Sequence, residues 1–228
     1  MPEIFGKYYQ IFEGLKELLE LYKEIDLCID RFKIETDINC LDLCGKCCNT
    51  ASSNIEASVF ELFPLAIYLW ENKKVDIIIS ELSSIEVSNP CIFFKDDKIF
   101  NTTGNCSMYE LRPLICRLFG FSVLINKGDR VRYISCNEMK NKYRYKIVKI
   151  ESGDKNSSDL LILPDFAQRS TALNYQHGSE RFDINKALKK AFEIVALKLS
   201  FISHDDDDND NDNPFNNSPK RPPFRKCA

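Results

Sequence analysis

The chain has 228 residues, a net charge of −3 and 44% hydrophobic residues, including sixteen Phe and nine Tyr. Such a composition supplies a sizeable core and excludes global disorder. It also speaks against the broad basic face of a nucleic-acid binder, and no apolar run approaches the roughly 20 residues that span a bilayer.

Met1-Pro2-Glu3-Ile4-Phe5 lacks the basic opening and apolar stretch of a secretory signal, so we expect a cytosolic protein. From Phe5 to Phe32, apolar residues recur every three or four positions (Phe5, Tyr8, Phe12, Leu15, Leu19, Tyr22, Ile25, Ile29), which predicts one amphipathic helix. The Cys-rich stretch from Asp37 to Asn49 reads as an irregular loop. Ser52 or Ser53 is placed to cap a helix over 55–71, with Pro64 delaying, kinking or breaking it. A short helix follows over 75–82.

Residues 91–100 read as two strands about an Asp96-Asp97 turn, and 122–126 with 131–135 as a hairpin around Gly128-Asp129. Residues 160–163 suit either strand or helix. Asp183 is placed to cap a helix over 184–201. The Asp/Asn run over 205–213 is low-complexity and reads as a solvated tail. Together these predict an α+β fold, mainly helical, with short β-hairpins and a small, irregular, cysteine-rich metal-binding centre. Its parts are an N-terminal helix (1–38), a cysteine-cluster domain (39–150), a helical part packing on it (151–203) and a disordered tail (204–228).

Eight of the ten cysteines lie between Cys40 and Cys136: Cys40, Cys44, Cys47, Cys48, Cys91, Cys106, Cys116 and Cys136. In a reducing compartment such clustering points to metal ligation rather than disulfides, and with only His177 and His204 present the ligands are thiolates. Gly45 suits a tight turn, and Lys46 can offset thiolate charge. Side chains of adjacent residues diverge, so Cys47 and Cys48 fit two different ions, or one ion and one redox role. Pro113 suits a first helical position, which puts Cys116 in an opening turn. Arg112 and Arg117 are fixed cations for a thiolate-rich cluster or an anionic substrate, or partners in structural salt bridges. Cys28 and Cys227 are not expected to be ligands.

These residues resemble the YkgJ-type, or CxxCxxCC, family. The matching positions are Cys40, Cys44, Gly45, Cys47, Cys48, Cys91, Cys106, Tyr109, Arg112, Pro113, Cys116 and Arg117. Three residues separate Cys40 from Cys44, where the family label has two. The resemblance implies zinc or iron binding by the eight cysteines, with Arg112, Arg117 and Tyr109 behind them. It also brings an association with protein lysine methylases.

The compact loop favours an iron–sulfur cluster, in a redox or cluster-carrying protein that would meet a protein or redox partner. A structural zinc module in an interaction protein is the alternative. An enzyme of the methylase or radical S-adenosylmethionine kind is a third, since Cys40-x3-Cys44-x2-Cys47 is also the latter's spacing. No Gly-rich nucleotide loop supports it. A thiol catalyst would need His177.

Overall fold

The computed structural model describes residues 2–40, 44–96, 104–153 and 160–207. The chain is mainly helical, with three two-stranded antiparallel sheets.

The first helical segment is interrupted. Helix α1 (Pro2–Phe5) runs into a 3-10 turn, and α2 (Leu15–Thr36) starts only after Gly14. This corrects the single helix expected from Phe5 to Phe32. The apolar period continues through the break, but Gly14 adopts a left-handed φ of 77° and lies against the Leu173 carbonyl, where a Cβ would collide. Phe5, Tyr8 and Phe12 are buried all the same. Helix α2 buries Leu15, Leu18, Leu21, Tyr22, Ile25, Ile29 and Phe32, one stripe at helical spacing.

The helix expected over 55–71 begins late. Strand β1 (Glu56–Ser58) comes first, then a 3-10 turn, then α3 (Phe63–Glu71) with Pro64 in its first turn. Neither Ser52 nor Ser53 caps it; Ser58 closes the 3-10 turn that leads into α3. Ser58 Oγ accepts from Glu61 N at 3.3 Å, and Glu61 Oε1 accepts from Ser58 N at 3.2 Å, a reciprocal capping box. Ser52 instead ties the chain to the segment before Cys91, its N–H donating to Asn89 O (2.8 Å) and its hydroxyl to Val87 O (3.1 Å).

Helix α4 (Val75–Ser84) follows. Strand β2 (Phe94–Lys95) then pairs with β3 (Asn105–Cys106), so its partner lies further along the chain than an Asp96-Asp97 turn predicted. The expected second strand falls on 98–100, outside the described residues. Helix α5 (Leu114–Leu118) starts one residue after Pro113, which is extended. Strands β4 (Ser122–Ile125) and β5 (Val131–Ile134) form the expected hairpin around Gly128 and Asp129, both at positive φ.

Helices α6 (Asn137–Lys142) and α7 (Arg144–Glu151) were not anticipated, while α8 (Leu163–Leu173) and α9 (Tyr175–Gly178) lie in the part expected to be helical, without having been individually placed. Helices α6 and α7 are short and half charged and α9 is a single turn, so these three carry little periodic signal. Strand β6 (Arg181–Asp183) pairs with β1 and leads into α10 (Ile184–Asp207), where Lys186 N donates to Asp183 Oδ1 at 3.1 Å. Helix α10 continues past Phe201, and 208–228 lie outside the described residues. Helices α2, α3 and α10 surround a core that includes Phe12, Phe60, Phe63 and Phe192, each fully buried.

Candidate metal centre

All eight predicted ligands border one cavity of about 1000 Å³. Four parts of the fold deliver them: the loop after α2 (Cys40, Cys44, Cys47, Cys48), the β2–β3 hairpin (Cys91 and Cys106), α5 (Cys116) and the start of α6 (Cys136). Cys28, partly buried against the core from α2, does not border the cavity, and Cys227 lies outside the described residues.

The loop is closed by Cys48 N and Asn49 N, which both donate to Gly45 O at 2.9 and 3.0 Å. Gly45 is required by close approach, because a Cβ there would strike the Gly104 backbone. Gly104 in turn has φ 72° and lies against Lys95 O and the Phe94 ring. Backbone therefore meets backbone where the cysteine loop docks on the hairpin. In the hairpin, Phe94 N donates to Cys91 O (2.8 Å) and Ser107 N to Phe93 O (2.9 Å), which ties the segment of Cys91 to that of Cys106.

Cys47 and Cys48 sulfurs lie 3.9 Å apart. Donation from the Cys48 thiol lowers the Cys47 thiol to about 7, with the Arg112 charge helping, while the same bond pushes Cys48 up. Burial pushes Cys91 up to about 12, and burial raises Cys106 and Cys116 as well. Cys116 also feels Cys91, Cys106 and Cys47, so these thiols are electrostatic neighbours that cannot all ionise without a compensating cation. In metal-free protein Cys47 should be alkylated first, its rate rising as pH passes about 7 and the thiolate forms. Cys91 and Cys116 should lag throughout neutral pH. Iodoacetamide labelling mapped by mass spectrometry checks this, and equal rates for the three would refute it.

The other bordering charges are cationic. Lys33, Lys46 and Arg112 flank the cavity, and no carboxylate or imidazole borders it among the described residues. Lys46 also pairs with Glu138 (2.6 Å) and sits near Cys44 and Cys136. Arg112 stacks on the Tyr109 ring at 3.6 Å and donates through Nη1 to Tyr109 O at 3.2 Å. Its Nε is buried with no hydrogen-bond partner. Arg117 turns away from the cavity. It donates to Asp26 Oδ2 (2.5 Å), Glu110 O (2.5 Å) and Arg112 O (3.0 Å), with its guanidinium 4.4 Å from the Tyr22 ring centre. His177 lies elsewhere, its ring 5.4 Å from that of Phe63, beside a separate cleft of about 200 Å³.

Sequence reasoning missed Glu61. Only 1% exposed, it accepts at Oε1 from Ser58 and from Arg181 Nη1 (3.0 Å), and at Oε2 from Leu114 N (3.1 Å) at the head of α5. The Ser58-x-x-Glu61 capping pattern was the available signal.

Residues 39–147 match the CxxCxxCC family model. Its description is “Putative zinc- or iron-chelating domain”. No curated protein and no solved structure matches the chain. The donor set suits the group named for the CxxCxxCC segment, because an all-sulfur lining selects zinc or iron–sulfur over magnesium or calcium. Among the described residues no three Cys, His, Asp or Glu side chains stand together in ligand geometry, so loading would draw the thiols inward. The orphaned Arg112 Nε and the raised thiols fit such a change, since both gain a partner when thiolates gather there.

Proposed function

We propose that the chain is a metal-binding protein whose thiol-bordered cavity holds an iron–sulfur cluster, in a redox or cluster-carrying role. The observation that carries this is the convergence of all eight cysteines on one cavity with cationic and apolar surroundings. Cys40, Cys44, Cys47, Cys48, Cys91, Cys106, Cys116 and Cys136 supply the ligands. Arg112 and Tyr109 would stand behind them, with the Arg112 charge, which already lowers the Cys47 thiol, favouring thiolate. Arg117 acts at one remove, through its bond to the Arg112 carbonyl. The cavity is far larger than one tetrahedral ion requires, and Phe93, Phe119 and Phe121 give it an apolar side, a setting that suits a cluster.

Structural zinc is the second reading. The thiols fall into two neighbourhoods, one around Cys47, Cys91, Cys106 and Cys116, the other joining Cys44 and Cys136 near Lys46. Two closed tetrahedral sites could use them. Anaerobic purification with elemental analysis and a visible spectrum separates the two readings. Iron with acid-labile sulfide and a broad band at the blue end is the expected result. Zinc without colour supports the alternative, and metal-free folded protein would sink both.

A further inference from the structure

Two of the cysteines farthest from the loop are held by buried polar side chains that are not ligands, and part of that bracing comes from outside the matched segment. Asn185, on the first turn of α10, is 4% exposed. Its Oδ1 accepts from Ile92 N at 3.1 Å and its Nδ2 donates to Pro90 O at 3.1 Å, so one amide grips the backbone on both sides of Cys91. Glu61 grips the head of α5 through Leu114 N, two residues before Cys116. Its other oxygen is held by Ser58 and by Arg181 of β6. Arg181 also donates to Glu56 O at 2.7 Å, which locks β6 to β1 beneath the site. Ile184 and Leu188, next to Asn185 in sequence, border the cavity itself.

Buried amides and carboxylates are costly unless satisfied, and here every bond of Asn185 goes to the backbone flanking a thiol. We propose that Asn185 and the Glu61–Arg181 pair are positioning residues that set Cys91 and Cys116 for metal. The C-terminal part of the chain, Arg181 to Leu188, is thereby an integral wall and brace of the centre. This rests on reading the cavity as a metal site, but its geometry can be tested without metal.

The experiment uses the full chain with Asn185→Ala and Glu61→Gln. Phe12→Leu, a core change away from the cavity, serves as the control for general loosening. In metal-free protein, iodoacetamide labelling of each cysteine is followed by mass spectrometry. Asn185→Ala should speed labelling of Cys91 about tenfold and Cys116 little, and Glu61→Gln the reverse, the scale of losing a buried hydrogen bond. In loaded protein both variants should lose metal or shift the visible band, while Phe12→Leu keeps both. If Asn185→Ala does not fold, Asn185→Ser should give a smaller change in the same direction. Labelling that is unchanged, or accelerated alike at all cysteines and in Phe12→Leu, overturns the proposal. Selective labelling changes in a chain that never takes up metal would uphold the bracing and remove only the metal reading.

Discussion

Replacing Cys116 with alanine should strip metal from the centre and lower the melting temperature of the loaded protein by about 10 °C or more. Each kcal/mol moves the midpoint by about 2–4 °C at this chain length, and metal binding to a folded site is itself folding free energy. Cys116 is the natural choice because its thiol is buried among Cys91, Cys106 and Cys47 and is pushed well up by that burial. Without a metal the residue behaves as a neutral, mostly apolar side chain. Metal-free wild type and Cys116→Ala should therefore melt much closer together than the loaded forms do. Cys28→Ala is the matched control, since Cys28 packs on the core from α2 and does not border the cavity. Equal metal content and equal melting in Cys116→Ala and wild type would take Cys116 out of the site.

Arg117→Leu should destabilise the protein by about 3 kcal/mol whether or not metal is present. Arg117 is 4% exposed and serves Asp26, the Glu110 carbonyl and the Arg112 carbonyl, three acceptors on two segments, while stacking on Tyr22. Removing it leaves those acceptors short of a donor in a buried place. Asp26 is 44% exposed on its side chain and can turn to water, which keeps the loss at the lower end of the range for broken buried pairs. Lysine keeps the charge but not the fork, so Arg117→Lys should recover less than half of the loss. Arg112→Leu should behave in the opposite way. It loses one bond to Tyr109 O, the stacking on that ring and a long 4.0 Å ion pair with Asp26. Metal-free stability should therefore fall by only about 1 kcal/mol, well short of the Arg117 loss. Metal affinity should fall about 10- to 100-fold, as is usual for groups that donate to ligands. Urea denaturation of metal-free protein, with competitive chelator titration, reads the two effects separately. A large metal-free loss in Arg112→Leu would contradict the division of labour between the two arginines.

The cysteine constellation was legible because its signal is chemical identity and spacing, and chemistry-bearing residues do not depend on periodicity to be seen. Arg112 and Arg117 could be picked out for the same reason. Their different settings could not, since nothing in Arg112-Pro113-x-x-Cys116-Arg117 says which guanidinium borders the cavity and which one makes the close bond to Asp26. Helices with one clean apolar stripe, such as α2 and the first part of α10, were readable. The break before α2 was not. The periodic residues Phe5, Tyr8 and Phe12 remain buried on both sides of Gly14, and only the left-handed turn against Leu173 reveals the interruption. The β2–β3 pairing was misplaced because a turn dipeptide at Asp96-Asp97 gives a local signal, whereas the observed partner strand starts after Gly104, which packs on Lys95 and on the distant Gly45. Asn185 is the clearest case of something invisible in advance. A lone Asn near a helix start suggests solvent or capping, and its role depends on a backbone more than ninety residues earlier.

That reach back along the chain bears on how the protein is made. Synthesis exposes Cys40 to Cys48 well over a hundred residues before Ile184, Asn185 and Leu188 emerge. Until then the thiols have no closed wall around them, and Cys91 has no grip on its flanking backbone. Metal supplied during early synthesis would meet an open, flexible set of thiols, able to take up whichever soft ion is at hand. If the cavity takes metal, selective loading would follow the emergence of α10. A ribosome-tethered fragment ending before residue 181 should hold added zinc or iron more loosely than the chain extended through α10.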